Sequence, residues 1–283
     1  MTPLSLKNSP MNKKLRKNKP IGIFDSGLGG LTVVFNLQKF FPEKEIAYFG
    51  DTARLPYGNK SPETIRDFAR QNTRFLLSFQ PEMIVVACHT VSALALNKLK
   101  AEFPLPIIGV LSPAVKAALA KTGNGRIGII GTIATVKSNS YPAEIKKANP
   151  KIKVYGLACP LFVPLVEEGL FSGPLTEMVI THYLKPLKEK RIDTLILGCT
   201  HYPLLKTAIA GFMGPKVKLV DPSEEVMPEI AAYLKEGNQK TTAAKKGGLR
   251  IYLSDITPNF RKIAASFLKK ELPRLERVNI ENL

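Results

Sequence analysis

Short apolar segments alternate with longer amphipathic segments along most of this 283-residue chain. From residue 20 onward the apolar segments have the length of strands, and the segments between them carry apolar residues at helical spacing. This alternation is typical of parallel sheets covered by helices, so we predict an α/β fold. The predicted strands are Ile21–Phe24, Ile46–Phe49, Met83–Ala87, Ile107–Gly109, Ile127–Ile130, Lys153–Gly156, Thr194–Leu197, Lys218–Val220 and Arg250–Leu253. The predicted helices include Thr64–Ser78, Ala93–Glu102, Pro113–Ala120, Leu175–Lys188 and Glu225–Glu236.

Two parts of the chain resemble each other. A strand with a Gly-Ile start and a small polar turn occurs at Ile21–Ser26 and again at Ile127–Thr132. Each is followed downstream by a buried strand that ends in a cysteine motif, Ala87–Thr90 in the first case and Gly198–His201 in the second. This repetition predicts two similar doubly wound parallel-sheet domains, with the active site in the cleft between them.

The composition also suggests where the domains begin and end. We assign residues 20–113 and 222–270 to the first domain and residues 114–221 to the second. Residues 1–19 are expected to be a disordered basic tail and residues 271–283 a C-terminal tail. The stretch Glu236–Gly248 is rich in Gly, Lys and Thr, so we interpret it as a surface loop. The strand and helix after it are expected to return to the first domain.

Charge and cysteine content restrict the class of protein. No apolar segment approaches the roughly 20 residues that span a bilayer, and the basic N-terminus lacks the apolar segment of a signal peptide. Three cysteines, an odd number, indicate a reducing compartment, so we expect a cytoplasmic protein without a membrane partner. The formal net charge of +18 is compatible with an anionic substrate or with nucleic acid. Because no nucleic-acid-binding motif accompanies it, we favour a solvated lysine-rich surface and leave nucleic acid open.

Polar residues follow three of the predicted strands, where α/β proteins bind their ligands. The first segment, Asp25–Gly30, is glycine-rich but lacks the dinucleotide fingerprint, and its acidic residue stands where a pyrophosphate would approach. Asp25 and Ser26 suit a small zwitterion instead. The other two segments begin with Cys88 and Cys199, each at the expected start of a helix, where the helix dipole lowers a thiol pKa.

Several chemistries use cysteine and histidine, and their spacing here favours one of them. The pairs Cys88-His89 and Cys199-x-His201 do not match zinc-site spacing, so we expect no metal. Cys159 has no polar companion, and we interpret it as a structural cysteine. One cysteine with a histidine would suggest a Cys-His hydrolase. Two equivalent cysteines favour a two-base racemase, which needs one acid–base group on each face of a stereocentre.

The motifs that carry this chemistry resemble those of glutamate racemases, in the aspartate/glutamate racemase superfamily, over nearly the whole chain. They are Gly22–Gly30, Tyr48–Thr52, Pro56–Gly58, Ala87–Thr90, Ile130–Thr132 with Thr135, Cys159–Pro164 with Glu167, and Leu197–Pro203.

The resemblance implies a role for each residue. Cys88 serves the D-enantiomer with the assistance of Asp25, and Cys199 serves the L-enantiomer with the assistance of His201. Glu167 completes the expected catalytic set, close to His201. The expected substrate-binding residues are Ser26, Pro56, Tyr57, Gly58, His89, Thr90, Thr132, Thr135 and Thr200.

The resemblance also implies an enzyme that needs no cofactor and acts on glutamate. Such an enzyme supplies D-glutamate for peptidoglycan synthesis. We also expect a homodimer. One residue departs from the family pattern: His89 stands where the family usually has Asn. A histidine there can donate a hydrogen bond to the substrate, or it can shift the pKa of the thiol and crowd the pocket. Two alternatives therefore stay open, namely a racemase or isomerase of another acidic substrate, and a diverged basic binding protein without racemase activity.

Overall fold

Ten strands form two parallel sheets within the part of the chain that the structure describes. The computed structural model describes residues 19–236, 246–257, 260–268 and 272–280. The strands are β1 Ile21–Asp25, β2 Ile46–Gly50, β3 Met83–Val86, β4 Ile107–Gly109, β5 Arg126–Gly131, β6 Lys153–Ala158, β7 Thr194–Gly198, β8 Lys218–Val220, β9 Leu249–Leu253 and β10 Leu275–Arg277. The predicted α/β class with two parallel-sheet domains is confirmed.

The first sheet has six strands in the order β10-β9-β2-β1-β3-β4. The central strand β1 pairs with both β2 and β3, so that Ile21 lies opposite Ile46 on one side and Met83 on the other. All three of these strands are buried along their whole length, as expected for a sheet covered on both faces. The second sheet has four strands in the order β6-β5-β7-β8.

The C-terminal part of the chain returns to the first sheet. Strand β9 pairs with β2, which confirms the expected return of the chain after residue 248. The expectation of a tail over residues 271–283 is wrong for the part that the structure describes, because β10 pairs in parallel with β9. Only three residues form β10, and Glu276 and Arg277 in it are exposed, so no apolar run marks the strand in the sequence. Residues 1–18 of the predicted basic tail and residues 237–245 of the predicted loop lie outside the described residues.

Thirteen α-helices cover the sheets within the residues that the structure describes. They are α1 Leu31–Phe40, α2 Pro62–Leu77, α3 His89–Leu94, α4 Leu96–Glu102, α5 Leu111–Lys121, α6 Ile133–Lys137, α7 Ser140–Ala148, α8 Phe162–Glu167, α9 Pro174–Glu189, α10 Lys206–Met213, α11 Pro222–Glu225, α12 Met227–Glu236 and α13 Phe260–Leu268.

Local sequence explains where individual helices begin. Helix α2 begins at Pro62, whose ring suits the first helical position, and the Ser61 hydroxyl caps it by accepting from the Thr64 N–H at 3.2 Å. The helix predicted at 93–102 is two helices in the structure, and the first begins already at His89. Its buried first turn contains His89 and Thr90, polar residues that an apolar repeat does not reveal.

One continuous apolar core joins the two domains. It contains side chains of the first sheet, such as Ile23 and Val85, together with side chains of the second domain, such as Leu184 and Leu197. A separate apolar cluster covers the opposite face of each sheet. In the first sheet it lies around Phe49, and in the second sheet it lies around Ile129. The two domains are therefore packed against each other, with their strands' carboxyl ends close to a common cavity.

Helix α9 allows a direct test of this core. Leu184 is fully buried in the shared cluster, whereas Leu175 on the same helix is 53% exposed. We predict that Leu184→Ala lowers the free energy of unfolding by about 2–5 kcal/mol, because it removes a side chain from a packed core. Leu175→Ala is the matched control and is expected to change it by less than about 1 kcal/mol. Urea denaturation followed by circular dichroism measures both, and equal losses would contradict the described packing.

Candidate active site

A narrow cavity lies between the two domains, at the carboxyl ends of β1, β3, β5 and β7. Both domains contribute to its walls, which is the placement expected from the sequence. Its lining residues are Ser26, Leu55, Pro56, Tyr57, Gly58, Cys88, His89, Thr90, Thr132, Val163, Cys199, Thr200 and His201.

All but three of the predicted site residues line this cavity. The exceptions are Asp25, Thr135 and Glu167, and each is hydrogen-bonded to a residue that does. Leu55 and Val163 also line the cavity but were not predicted as site residues. Val163 lies inside the motif Cys159–Pro164, so that motif could have identified it as a site residue. Leu55 is an isolated aliphatic residue, and nothing in the sequence indicates that it lines the cavity.

Asp25 lies fully buried behind the cavity at the end of β1. Its Oδ2 accepts the N–H groups of Gly27 at 3.1 Å and Gly30 at 3.0 Å, and the Thr200 hydroxyl lies 3.3 Å from Oδ1. A Cβ on Gly30 would come within 2.5 Å of the Asp25 Cβ, so the turn requires glycine at this point. Burial raises the pKa of Asp25, although His201 and these hydrogen bonds act in the opposite direction. The buried carboxyl group can therefore hold a proton more readily than an exposed one.

Cys88 lies at the N-cap of α3 and is almost fully buried. We expected the helix dipole to lower the pKa of its thiol, and this expectation is wrong for the structure described. Burial and, second, the charge of Asp25 raise the pKa of Cys88 to about 12, against hydrogen bonds from Val91 and Ser26 that lower it. Burial and the charge of Asp25 therefore dominate at this position, and Cys88 is a thiol at neutral pH.

Cys199 has a different partner. Its Sγ lies 3.7 Å from Nδ1 of His201, whose Nε2 lies 3.2 Å from Oε1 of Glu167. Burial alone would lower the pKa of His201, but the hydrogen bonds and negative charges of Cys199 and Glu167 outweigh it and raise the pKa to about 10. His201 is thus an imidazolium at neutral pH, which can stabilise a thiolate on Cys199. The three side chains form a relay that ends in the cavity.

His89 occupies the position after Cys88 and is also buried. Its Nδ1 lies 2.7 Å from the hydroxyl of Tyr141 in helix α7. Burial lowers the pKa of His89 to about 3, so its ring is neutral at ordinary pH. The structure therefore places no additional positive charge beside Cys88.

Three threonine hydroxyls meet at one side of the cavity. Thr90 of the first domain lies 3.0 Å from Thr132 and 3.2 Å from Thr135, both of the second domain, which are 2.9 Å apart. Thr132 is also the N-cap of α6 and accepts the N–H of Thr135 at 3.2 Å. The cap holds these two hydroxyls in place, and the cluster offers both donors and acceptors to a polar ligand.

Tyr57 is held by a polar network that the sequence analysis missed. Its hydroxyl donates to Oδ2 of the buried Asp51, and Nδ2 of Asn72 lies 3.1 Å from the same hydroxyl. Arg54 pairs with Oδ2 of Asp51 at 2.6 Å, and Ser254 donates to Oδ1 at 2.9 Å. Asp51 thereby ties the loop that carries Pro56, Tyr57 and Gly58 to Ser254, the residue that follows strand β9. The motif Tyr48–Thr52 contained Asp51, but no spacing rule identified its partners.

The two domains approach each other closely at two glycines. A Cβ on Gly29 would lie 2.3 Å from the Thr200 hydroxyl, and a Cβ on Gly58 would lie 2.5 Å from the Cβ of Thr132. The cavity between the domains has a volume of about 30 Å³. That space holds about two water molecules and cannot hold an amino acid. In this structure the cleft between the domains is therefore too narrow for an amino acid, and we call this arrangement the closed state.

Gly58 tests whether the closed state depends on this close approach. We predict that Gly58→Ala widens the cleft, because the added methyl group displaces Thr132. Cys88 and Cys199 are then expected to react faster with an uncharged thiol reagent. Mass spectrometry of the modified peptides measures the rate at each cysteine. Gly211→Ala is the control, since a Cβ at Gly211 meets no atom within 4 Å. Equal rates in the wild-type protein and Gly58→Ala would contradict the steric role of Gly58.

No helix in the part of the chain that the structure describes is long and apolar enough to cross a membrane. No group of three or more His, Cys, Asp or Glu side chains in the same part of the chain is arranged to hold a metal ion.

Comparisons with known proteins agree with the geometry. A family model described as Asp/Glu/Hydantoin racemase matches residues 33–229. The glutamate racemase of Chlorobaculum tepidum is 44% identical over 268 residues, which cover 94% of this chain and 98% of that protein. The crystal structure of glutamate racemase from Francisella tularensis in complex with D-glutamate has a TM-score of 0.88 and 41% identity, covering 94% of this chain and all of that one. The crystal structure of glutamate racemase from Thermus thermophilus in complex with beta-chloro-D-alanine has a TM-score of 0.83 and 40% identity, covering 94% of this chain and 99% of that one. With two cysteines in one interdomain cavity and relatives that match along nearly its whole length, the chain belongs to the Asp/Glu/Hydantoin racemase family.

Proposed function

We propose that this protein is an isomerase that interconverts L-glutamate and D-glutamate by proton transfer between two cysteines, without a cofactor. The observation that carries the proposal is that Cys88 and Cys199 line one closed cavity from opposite domains. Each has its own charged companion, Asp25 for Cys88 and His201 for Cys199. A racemase needs this arrangement, since one group must remove the α-proton and another must return a proton to the opposite face.

The different environments of the two cysteines define the starting state of the reaction. The imidazolium of His201 stabilises a thiolate on Cys199, which takes the α-proton of L-glutamate. The thiol of Cys88 then gives its proton to the opposite face of the α-carbon, and D-glutamate results. Atoms and charge balance, because Cys199 ends as a thiol and Cys88 as a thiolate. In the reverse direction Cys88 is the base, and the buried carboxyl group of Asp25 assists its proton transfer.

The remaining cavity residues bind and orient the amino acid in this proposal. Ser26, Thr90 and Thr200 hold the substrate carboxylates, and Thr132 and Thr135 support Thr90 through the hydroxyl cluster. Pro56, Tyr57, Gly58 and His89 complete the wall. Hydrogen bonds to the carboxylate stabilise the charge that develops when the α-proton leaves, and closure of the cleft excludes water, which strengthens them.

Exchange of the α-hydrogen in deuterium oxide tests the two-cysteine reaction. We predict that the wild-type protein incorporates deuterium at the α-carbon from either enantiomer of glutamate. Cys88→Ala and Cys199→Ala each remove one acid–base group and are expected to lower kcat/KM for racemisation roughly 10²- to 10⁴-fold. Cys159→Ala is the control and is expected to retain activity, because Cys159 is buried outside the cavity. Proton NMR measures exchange, and circular dichroism measures racemisation.

The same assay separates this function from its alternatives. If the α-hydrogen of aspartate or of another acidic compound exchanges faster than that of glutamate, that compound and not glutamate is the substrate. Absence of α-exchange with any of them, together with salt-dependent binding to nucleic acid, would favour a diverged basic binding protein.

The pH dependence tests the relay from Glu167 to Cys199. A pKa raised to about 10 means that His201 keeps its proton at neutral pH and loses it as the pH rises through that value. We predict that Glu167→Gln lowers the pKa of His201, since the negative charge of Glu167 is removed, so that kcat/KM for L-glutamate falls at a lower pH. The control is Glu168→Gln, which changes the exposed neighbouring carboxylate. If the pH at which kcat/KM falls on the alkaline side is the same in Glu167→Gln as in the wild-type protein, the relay is contradicted.

We also propose that the protein acts in the cytoplasm as a homodimer and that its D-glutamate supplies peptidoglycan synthesis. The three free cysteines support a reducing compartment. Rescue of a bacterial strain that requires D-glutamate, by the wild-type gene and not by its Cys88→Ala variant, tests the physiological role. Light scattering during size-exclusion chromatography tests the dimer.

A further inference from the structure

We propose that Tyr141 is a positioning residue, which holds His89 in the tautomer that carries its proton on Nε2. His89 then presents a neutral N–H donor to a carboxylate oxygen of the substrate in the cavity. The second half of this proposal rests on the proposed function, while the first half concerns the ligand-free protein alone.

One ring nitrogen of His89 is engaged and the other is available. Nδ1 lies 2.7 Å from the Tyr141 hydroxyl, well within hydrogen-bond distance. Nε2 has no hydrogen-bond partner among the residues that the structure describes. It is not sealed from solvent either, because an oxygen of Glu229 is the one fully buried side-chain N or O atom without a partner in the same part of the chain. His89 is 4% exposed overall and lines the cavity. The free nitrogen therefore faces the cavity.

The direction of the hydrogen bond follows from what surrounds Tyr141. Its side chain is 1% exposed, and burial raises its pKa well above the ordinary value, so the phenol keeps its proton. Nδ1 of His89 is the one acceptor for that proton within the described residues. A buried hydroxyl proton without an acceptor costs about 1–3 kcal/mol, so the phenol donates and Nδ1 accepts. Because His89 is neutral, its single N–H must then be on Nε2.

The hydrogen bond also joins the two domains. His89 begins α3 beside Cys88, and Tyr141 belongs to α7 of the second domain. Closure of the cleft thus brings together the two groups that determine the tautomer, and the donor is ready when the cavity is closed. The side-chain carboxylate of glutamate gains no charge when the α-proton leaves. A donor to this carboxylate binds it equally in the ground state and the transition state and affects KM more than kcat.

Nitrogen-15 NMR of the ligand-free protein tests the tautomer. The chain has three histidines, and the spectrum of His89→Gln identifies the signals of His89. We expect the wild-type protein to show a protonated Nε2 and an unprotonated Nδ1, and Tyr141→Phe to show a mixture of tautomers. A protonated Nδ1 in the wild-type protein, or an unchanged spectrum in Tyr141→Phe, would overturn the proposal.

Kinetics of a double-mutant cycle test whether Tyr141 acts through His89. Loss of the oriented donor in Tyr141→Phe is expected to raise KM for glutamate roughly three- to tenfold, with kcat within about twofold. Glutamine at position 89 presents an amide that needs no tautomer, so in the His89→Gln background the Tyr141→Phe change is expected to alter KM by less than about twofold. Tyr233→Phe is the control, because its hydroxyl donates to the Glu82 carbonyl away from the cavity.

The outcomes are distinguishable from one another. An equal rise in KM in both backgrounds would mean that Tyr141 supports the fold rather than His89, and would overturn the proposal. If none of the proteins racemises glutamate, the proposed function fails, and the NMR spectra of the ligand-free protein still decide the tautomer.

Discussion

The structure depends on the burial of ionisable side chains where the carboxyl ends of two parallel sheets meet. Parallel strands place their last residues at one edge, and each domain here contributes a cysteine motif from that edge. With little water in the cavity, each charge must be stabilised by a neighbour that is already in place. Burial raises the pKa of Cys88 and keeps its thiol neutral, whereas the hydrogen bonds and charges of Cys199 and Glu167 raise the pKa of His201 and keep its ring charged. Similar motifs acquire different properties because Cys88 faces a carboxylate and Cys199 faces an imidazole.

Closure and electrostatics are therefore linked. Glycine at positions 29 and 58 allows the domains to approach until only a small cavity remains, and the hydroxyls of Thr90, Thr132 and Thr135 meet across the same boundary. Separation of the domains would admit water and weaken each interaction that shifts a pKa. The difference between the two cysteines is thus a property of the closed state, in which the two domains are in contact.

Much of this arrangement could be predicted from the sequence, and there are physical reasons why the rest could not. Strand periodicity located nine strands, and the position of polar residues after β1, β3 and β7 placed Asp25, Cys88 and Cys199 at one edge. Strand β10 was missed because it is short and two of its three residues are exposed. The start of α3 at His89 was missed because buried polar residues form its first turn. The expected fall in the thiol pKa of Cys88 was wrong because the depth of burial is a tertiary property that no local motif encodes.

The partners of the site residues are the least accessible to sequence reasoning. Tyr141 lies 52 positions from His89, and the network around Asp51 reaches Ser254 across 203 positions. A single sequence gives no spacing rule for such pairs, whereas Cys199 and His201 are adjacent enough for their contact to be expected. The resemblance to racemases named the residues expected to bind substrate, but it did not identify Tyr141 or Asp51, which contact His89 and Tyr57.

The central claim is that the two cysteines address opposite faces of one α-carbon. A crystal structure of the protein with bound D-glutamate tests it most directly. The account predicts that Sγ of Cys88 and Sγ of Cys199 each lie about 3–4 Å from the α-carbon, on opposite faces, in line with a reactive arrangement. A bound glutamate whose α-carbon contacts only one of the two sulfurs, or both on the same face, would contradict it.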